Sequence, residues 1–209
     1  MKIELDSLGI RTGDDFICSG NSKLSNAIKV MNKISGVRGM AAEMTHVATA
    51  KAPPECGITS ASVFESTSIG YSGVNGVQLN PIAEWLENYN GKVWLVQYDF
   101  ERSLIFENNF DEFITKNLGT PYESGIAGGF ELFLAGLRAD RLIRLFKPDY
   151  NPCSTNNLHC TELNTLLKEY VNMLYSRVIA SRMPPCQFWP GGELYKHLVY
   201  KAKVPIRLK

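Results

Sequence analysis

Five cysteines and three histidines are the residues of this 209-residue chain from which covalent or proton-transfer chemistry could be built. Cys160 has the most telling position. It lies in Asn157-Leu158-His159-Cys160-Thr161-Glu162-Leu163, just after Tyr150 to Asn157, a stretch dense in turn formers and unsuited to a helix interior. Downstream, Leu163, Leu166, Leu167, Tyr170, Val171 and Leu174 repeat as one apolar stripe at helical spacing. Cys160 is therefore expected in or next to the first turn of a helix. There, free backbone N–H groups and the positive end of the helix dipole favour a thiolate over a thiol. The thiolate is the nucleophilic form, which suits covalent catalysis. The alternative for such a residue is a small buried hydrophobe.

A cysteine nucleophile needs a base near the sulfur, and the base needs a group to hold its ring. His46 begins a strand-like run, Thr45 to Ala50, and Glu65 stands in a second run, Ser62 to Thr67. An ionised Glu65 could accept from the imidazole, fix its tautomer and raise its basicity. His46, Glu65 and Cys160 thus qualify as base, orienter and nucleophile, since such groups are assembled by the fold in any chain order. The alternatives are a satisfied strand histidine and a solvent-facing strand glutamate. His159 is a poor base for the cysteine beside it, because helix neighbours do not face each other; it is expected at a loop end or cap. His197 reads as surface. Cys153, His159 and Cys160 lack the paired cysteine spacing of structural zinc sites, so no metal is expected. No phosphate-binding glycine motif is present either; Tyr71 to Gly76 has the wrong spacing.

These residues need a scaffold, and local patterns along the chain supply one. A strand covers Phe16 to Cys18 after a turn at Arg11 to Asp15. Ser22 caps an amphipathic helix that runs to about Lys33. The strands at Thr45–Ala50 and Ser62–Thr67 are followed by a glycine-rich hairpin over Gly70 to Gly76. Pro81 then opens a helix with Ile82, Trp85, Leu86 and Tyr89 at helical spacing. Val93 to Tyr98 is the strongest strand signal. Ser103 to Lys116 is expected to be a helix with Phe106, Phe110, Phe113 and Ile114 inward, and Ile126 to Phe146 another. A last strand is expected over His197 to Val204.

Composition bounds the rest. Hydrophobic content of 44% and 21% charged residues are ordinary globular values, and the chain is long enough for one domain with a sizeable core. A net charge of +1 with scattered basic residues gives no footprint for nucleic acid. The first residues, Met1 to Asp6, hold no apolar run of a secretory signal, and no stretch approaches the ~18 apolar residues of a membrane span. A soluble chain in a reducing, cytoplasmic compartment is the expectation.

Five segments, in order, resemble the circularly permuted papain-like amidases and cysteine peptidases, in particular the YiiX-like group. Thr12-Gly13-Asp14-Asp15-Phe16-Ile17 is similar to that family's opening Gly-Asp strand, and Met44-Thr45-His46-Val47-Ala48 to its histidine motif. Val63-Phe64-Glu65-Ser66-Thr67 looks like its acidic strand, and Gly76-Val77-Gln78-Leu79 like the Val-x-Leu segment before a helix. Leu118-Gly119-Thr120-Pro121-Tyr122-Glu123 is similar to the family's Gly-x-Pro-Tyr-Asp turn, with Glu for Asp, and His159-Cys160-Thr161-Glu162-Leu163 to its Cys-Ser-Glu-Leu motif, with Thr for Ser.

The resemblance implies an α+β permuted papain-like fold, a small antiparallel sheet or barrel packed against helices. It spans one domain over residues 1–209, with a helical insertion at about 125–155. It also implies Cys160 as nucleophile, His46 as general base, Glu65 as the third polar residue and Tyr122 lining the substrate site, with no cofactor and no metal. The expected activity is that of a thiol hydrolase, an amidase or cysteine peptidase acting on a small amide, peptide or acyl substrate through an acyl-enzyme. The alternatives are a non-catalytic binding or structural module on the same fold, and an acyltransferase or lipid thiol hydrolase. The oligomeric state is not readable.

Overall fold

The computed structural model describes residues 5–52, 61–68, 73–122, 158–175 and 183–209. Its centre is a six-stranded sheet formed by β1 (Asp15–Gly20), β2 (His46–Lys51), β3 (Ser62–Thr67), β4 (Gly76–Pro81), β5 (Gly91–Val96) and β6 (Ile206–Arg207). The order across the sheet is β4-β3-β2-β1-β5-β6, and every pairing is antiparallel. The sheet is open, with β4 and β6 at its two edges, so the barrel half of the expected architecture does not apply.

Among the described residues four helices accompany the sheet: α1 (Lys23–Ile34), α2 (Ile82–Asn88), α3 (Leu104–Asn117) and α4 (Cys160–Tyr170). Their starts follow from local chemistry. Ser22 accepts from the Ser25 N–H at 3.0 Å and Ser103 from the Phe106 N–H at 3.2 Å, each supplying an acceptor to a first-turn donor. Lys33 and Lys116 occupy the last turns of α1 and α3, where the dipole favours a cation.

Strand alternation sorts the core into two layers. Phe16, Cys18, Ala48, Ala50 and Val63 face one side and pack with Ile82 and Trp85 of α2. Ile17, Val47, Phe64 and Val77 face the other and pack with Phe106, Phe110 and Phe113 of α3 and with Leu163 and Leu167 of α4. Phe110 is fully buried, so truncating it to Ala would cost about 3–5 kcal/mol.

Two boundaries differ from the sequence reading. The apolar stripe after Cys160 continues to Leu174, but α4 stops at Tyr170 because Asn172 takes the left-handed conformation (φ 58°), which ends a helix. Leu174 instead bridges Leu198. The last strand is Ile206–Arg207, not His197 to Val204; in the latter stretch only single bridges form, at Leu198 and Ala202. The expected helix at 126–146, the insertion at 125–155, Cys56 and Cys153 all lie outside the described residues.

Candidate active site

His46 is the first residue of β2 and pairs across the sheet with Cys18 of β1. Glu65 lies on β3, on the same face by alternation, and is 3% exposed. The two meet directly: His46 Nε2 is 2.7 Å from Glu65 Oε2. The other carboxylate oxygen, Oε1, accepts from Asn80 Nδ2 at 3.1 Å and from Trp85 Nε1 at 3.0 Å. A buried carboxylate is tolerable only when its lone pairs are used, and here three donors use them. Glu65 is therefore not the solvent-facing residue that its polar neighbours also allow.

Cys160 is the first residue of α4 and is buried. The chain before it is sutured to the sheet: the Leu158 N–H donates to the Pro121 carbonyl at 3.0 Å, and the Ser66 hydroxyl donates to the Leu158 carbonyl. The Pro121 end is held in turn by β4, because the Val77 N–H donates to Thr120 and the Gly119 N–H donates to Val77. Gly76 makes this approach possible. Its φ is +128°, and a Cβ there would run into the Thr120 carbonyl oxygen.

By packing, Cys160 belongs to the α3/α4 layer, whereas His46 and Glu65 belong to the α2 face. The layers meet at the start of β2, where the His46 ring and Cys160 line one cavity and interact electrostatically. With Nε2 engaged by Glu65, Nδ1 is the ring nitrogen left for the sulfur. Burial disfavours the charged ring, but the interaction with Cys160, followed by that with Glu65, outweighs it and pushes His46 up to about 10. Tyr89 lies against the imidazole, ring centroids 6.4 Å apart and planes 24° from parallel. Burial raises both the Tyr89 phenol and the neighbouring Cys18 thiol and keeps them neutral.

A cavity of about 540 Å³ opens over the three residues, and Ser22, Ile28, Thr67, Tyr89 and Tyr122 are among the side chains that line it. Tyr122, expected to line a substrate site, is half-buried there. His159 occupies the N-cap position of α4, but its ring does not cap the helix. Burial pushes it down to about 4, so it is neutral, with Nδ1 3.0 Å from Glu162 Oε2. His197 is half-exposed, 3.6 Å from Glu193.

Sequence reasoning misses Asn80 and Trp85, the two donors that hold Glu65. Trp85 reads as one more apolar position of α2, although a buried indole N–H calls for an acceptor. Among the described residues no group of three or more His, Cys, Asp or Glu side chains is placed to hold a metal ion. None of the described helices is long and apolar enough to cross a membrane.

No protein-family model matches the chain, and no curated protein matches it. Among solved structures it is similar to the crystal structure of the metalloprotein YiiX (DUF1105) from Escherichia coli O157:H7. The likeness has a TM-score of 0.50 and 16% sequence identity and covers 78% of this chain. The chain spans 66% of the YiiX chain's length. At that identity the similarity concerns architecture alone: this is an α+β chain with an open antiparallel sheet and helices on its faces, similar in fold to YiiX.

Proposed function

We propose that the chain is a cysteine hydrolase of the amidase or peptidase type, with Cys160 as nucleophile, His46 as acid–base and Glu65 as the group that orients the ring. The observation that carries this reading is the His46 imidazole, held by a buried carboxylate at 2.7 Å and lining one open cavity together with Cys160. The Cys160 thiolate attacks a substrate carbonyl carbon, and the carbonyl π electrons move to the oxygen. Free N–H groups at the start of a helix suit the stabilisation of that oxyanion, a role this proposal gives to the first turn of α4. As the tetrahedral species collapses, His46 gives its proton to the leaving nitrogen or oxygen and the C–N or C–O bond breaks. Water, deprotonated by His46, then attacks the thioester, and the sulfur leaves as thiolate. The permuted papain-like relationship belongs to this proposal, and so does the substrate, a small amide, peptide or acyl compound that fits the cavity.

The test is site-resolved alkylation with iodoacetamide across pH, together with turnover of a panel of amides and esters. Cys160 is expected to react fast well below pH ~8.5, the ordinary thiol value, and His46→Ala to remove that advantage. Turnover should fall as pH rises through about 10, because His46 then loses the proton that the leaving group needs. A Cys160→Ala variant that still hydrolyses every responsive substrate removes the proposal.

A further inference from the structure

Cys160, Asn164 and Lys168 stand four residues apart on α4, along one line of the helix, and all three are buried. The Asn164 side-chain NH₂ donates to the Cys160 carbonyl at 2.7 Å and to the Val47 carbonyl at 3.2 Å. Val47 directly follows His46. A single amide group thus ties the main chain of the residue bearing the sulfur to the main chain next to the residue bearing the imidazole.

The amide is itself held. Asn164 Oδ1 meets the Thr49 hydroxyl on β2, and that hydroxyl is also 3.0 Å from Asp15 Oδ1 on β1. A hydroxyl has one proton and serves one acceptor at a time, so Thr49 stands between two competing oxygens. Asp15 Oδ1 also accepts from Lys168 Nζ at 2.8 Å, and Asp15 Oδ2 from the Tyr98 hydroxyl at 2.5 Å. Apolar packing of similar volume would stabilise this layer at least as well as a buried ion pair. What apolar packing would not supply is direction. Hydrogen bonds from Asn164 to β2 and from Lys168 to β1 favour one register of α4 against the sheet.

We propose that Asn164, seated by Thr49, Asp15 and Lys168, is the positioning residue that sets the separation between the Cys160 sulfur and the His46 imidazole. This rests on the function proposed above and extends it to residues that touch neither the reacting groups nor the cavity. Asn164→Leu keeps the volume and removes both donors. The readout is the pH profile of Cys160 alkylation, compared with wild type and His46→Ala, with folding followed by urea denaturation.

The folded Asn164→Leu protein is expected to lose on the order of tenfold to a hundredfold in Cys160 reactivity at pH 6, with its profile shifted toward that of a free thiol. A purely structural role would lower the urea midpoint and leave the profile in place, which overturns the proposal while the proposed function stands. A wild-type Cys160 with no low-pH reactivity overturns both. If Asn164→Leu does not fold, Thr49→Val carries the test. A loss of about threefold or more in the same direction is expected there, and an unchanged profile in the folded Thr49→Val protein overturns the positioning role.

Discussion

Two buried carboxylates sit on opposite faces of the same sheet. Glu65 faces α2 and Asp15 faces α4; each is almost wholly removed from water, and each has three side-chain groups within hydrogen-bonding distance. Their cations differ. Asp15 is paired with the Lys168 ammonium, enclosed in the core and lying over the Tyr98 ring with Nζ 4.8 Å from its centre. Glu65 is paired with an imidazole that borders a cavity and has a second nitrogen to offer. An ammonium enclosed in the core has no cavity to hand a proton to, whereas a ring nitrogen beside a cavity does. One carboxylate therefore joins a fixture and the other a group that can pass a proton on. Burial and pairing alone do not separate a structural ion pair from a reactive one; the cation and its access to a cavity do.

Mutation can break this comparison. The largest effect is expected at Lys168→Met, which leaves Asp15 buried and uncompensated and should cost about 3–5 kcal/mol in urea denaturation. Adding Asp15→Leu to it should restore most of that loss, since an apolar pair needs no desolvation. A single-variant loss under about 1 kcal/mol would mean that the pair is not the fixture described. Acid should come next. His159 lies at about 4 in the fold against 6.5 in the open chain, so the unfolded state binds more protons between those values. The stability due to its neutral burial is complete above about 6.5 and lost as pH falls to about 4, on the order of 2–3 kcal/mol. His159→Gln should flatten that part of the profile.

The smallest effects sharpen the comparison on the Glu65 side. Glu65→Gln should slow Cys160 alkylation at pH 6 by about tenfold to a hundredfold, or ~1.4–2.7 kcal/mol, because the imidazolium loses its counter-charge. Trp85→Phe removes one of the three donors to Glu65 and should cost about 1 kcal/mol of stability, with a smaller rate effect than Glu65→Gln. Equal rate effects from the two variants would show that ring geometry, and not the carboxylate charge, governs the sulfur.

Legibility without coordinates tracks the range of each interaction. The Ser22 cap, the helix beginning near Ser103, the strand at Ser62–Thr67 and the helical start at Cys160 depend on residues a few positions apart, and they are legible. The Asp15–Lys168 pair joins residues 153 positions apart, and nothing near Gly13-Asp14-Asp15 distinguishes a buried charge from a polar turn. Asp14, in the same run, is also fully buried and bound by Arg102 at 2.7 Å. The edge strand β6 departs from the sequence expectation for a related reason. Its position is set by the partner β5, and a two-residue pairing carries little pattern of its own. His46 and Glu65 are visible as candidates because they open or occupy clear strands; that Asn80 and Trp85 hold Glu65 is a property of the β4–α2 junction.

The hydrogen bond from the Leu158 N–H to the Pro121 carbonyl has a further consequence. Pro121 and Leu158, far apart in the sequence, are joined by a single 3.0 Å bond. A segment whose ends meet can lengthen, shorten or be exchanged over generations without moving what lies on either side of it. Cys160 is anchored from the sheet and from its own helix, through Ser66 and Asn164, so such changes upstream leave its position intact. This junction lets descendants of one scaffold differ upstream while keeping the same sulfur in place.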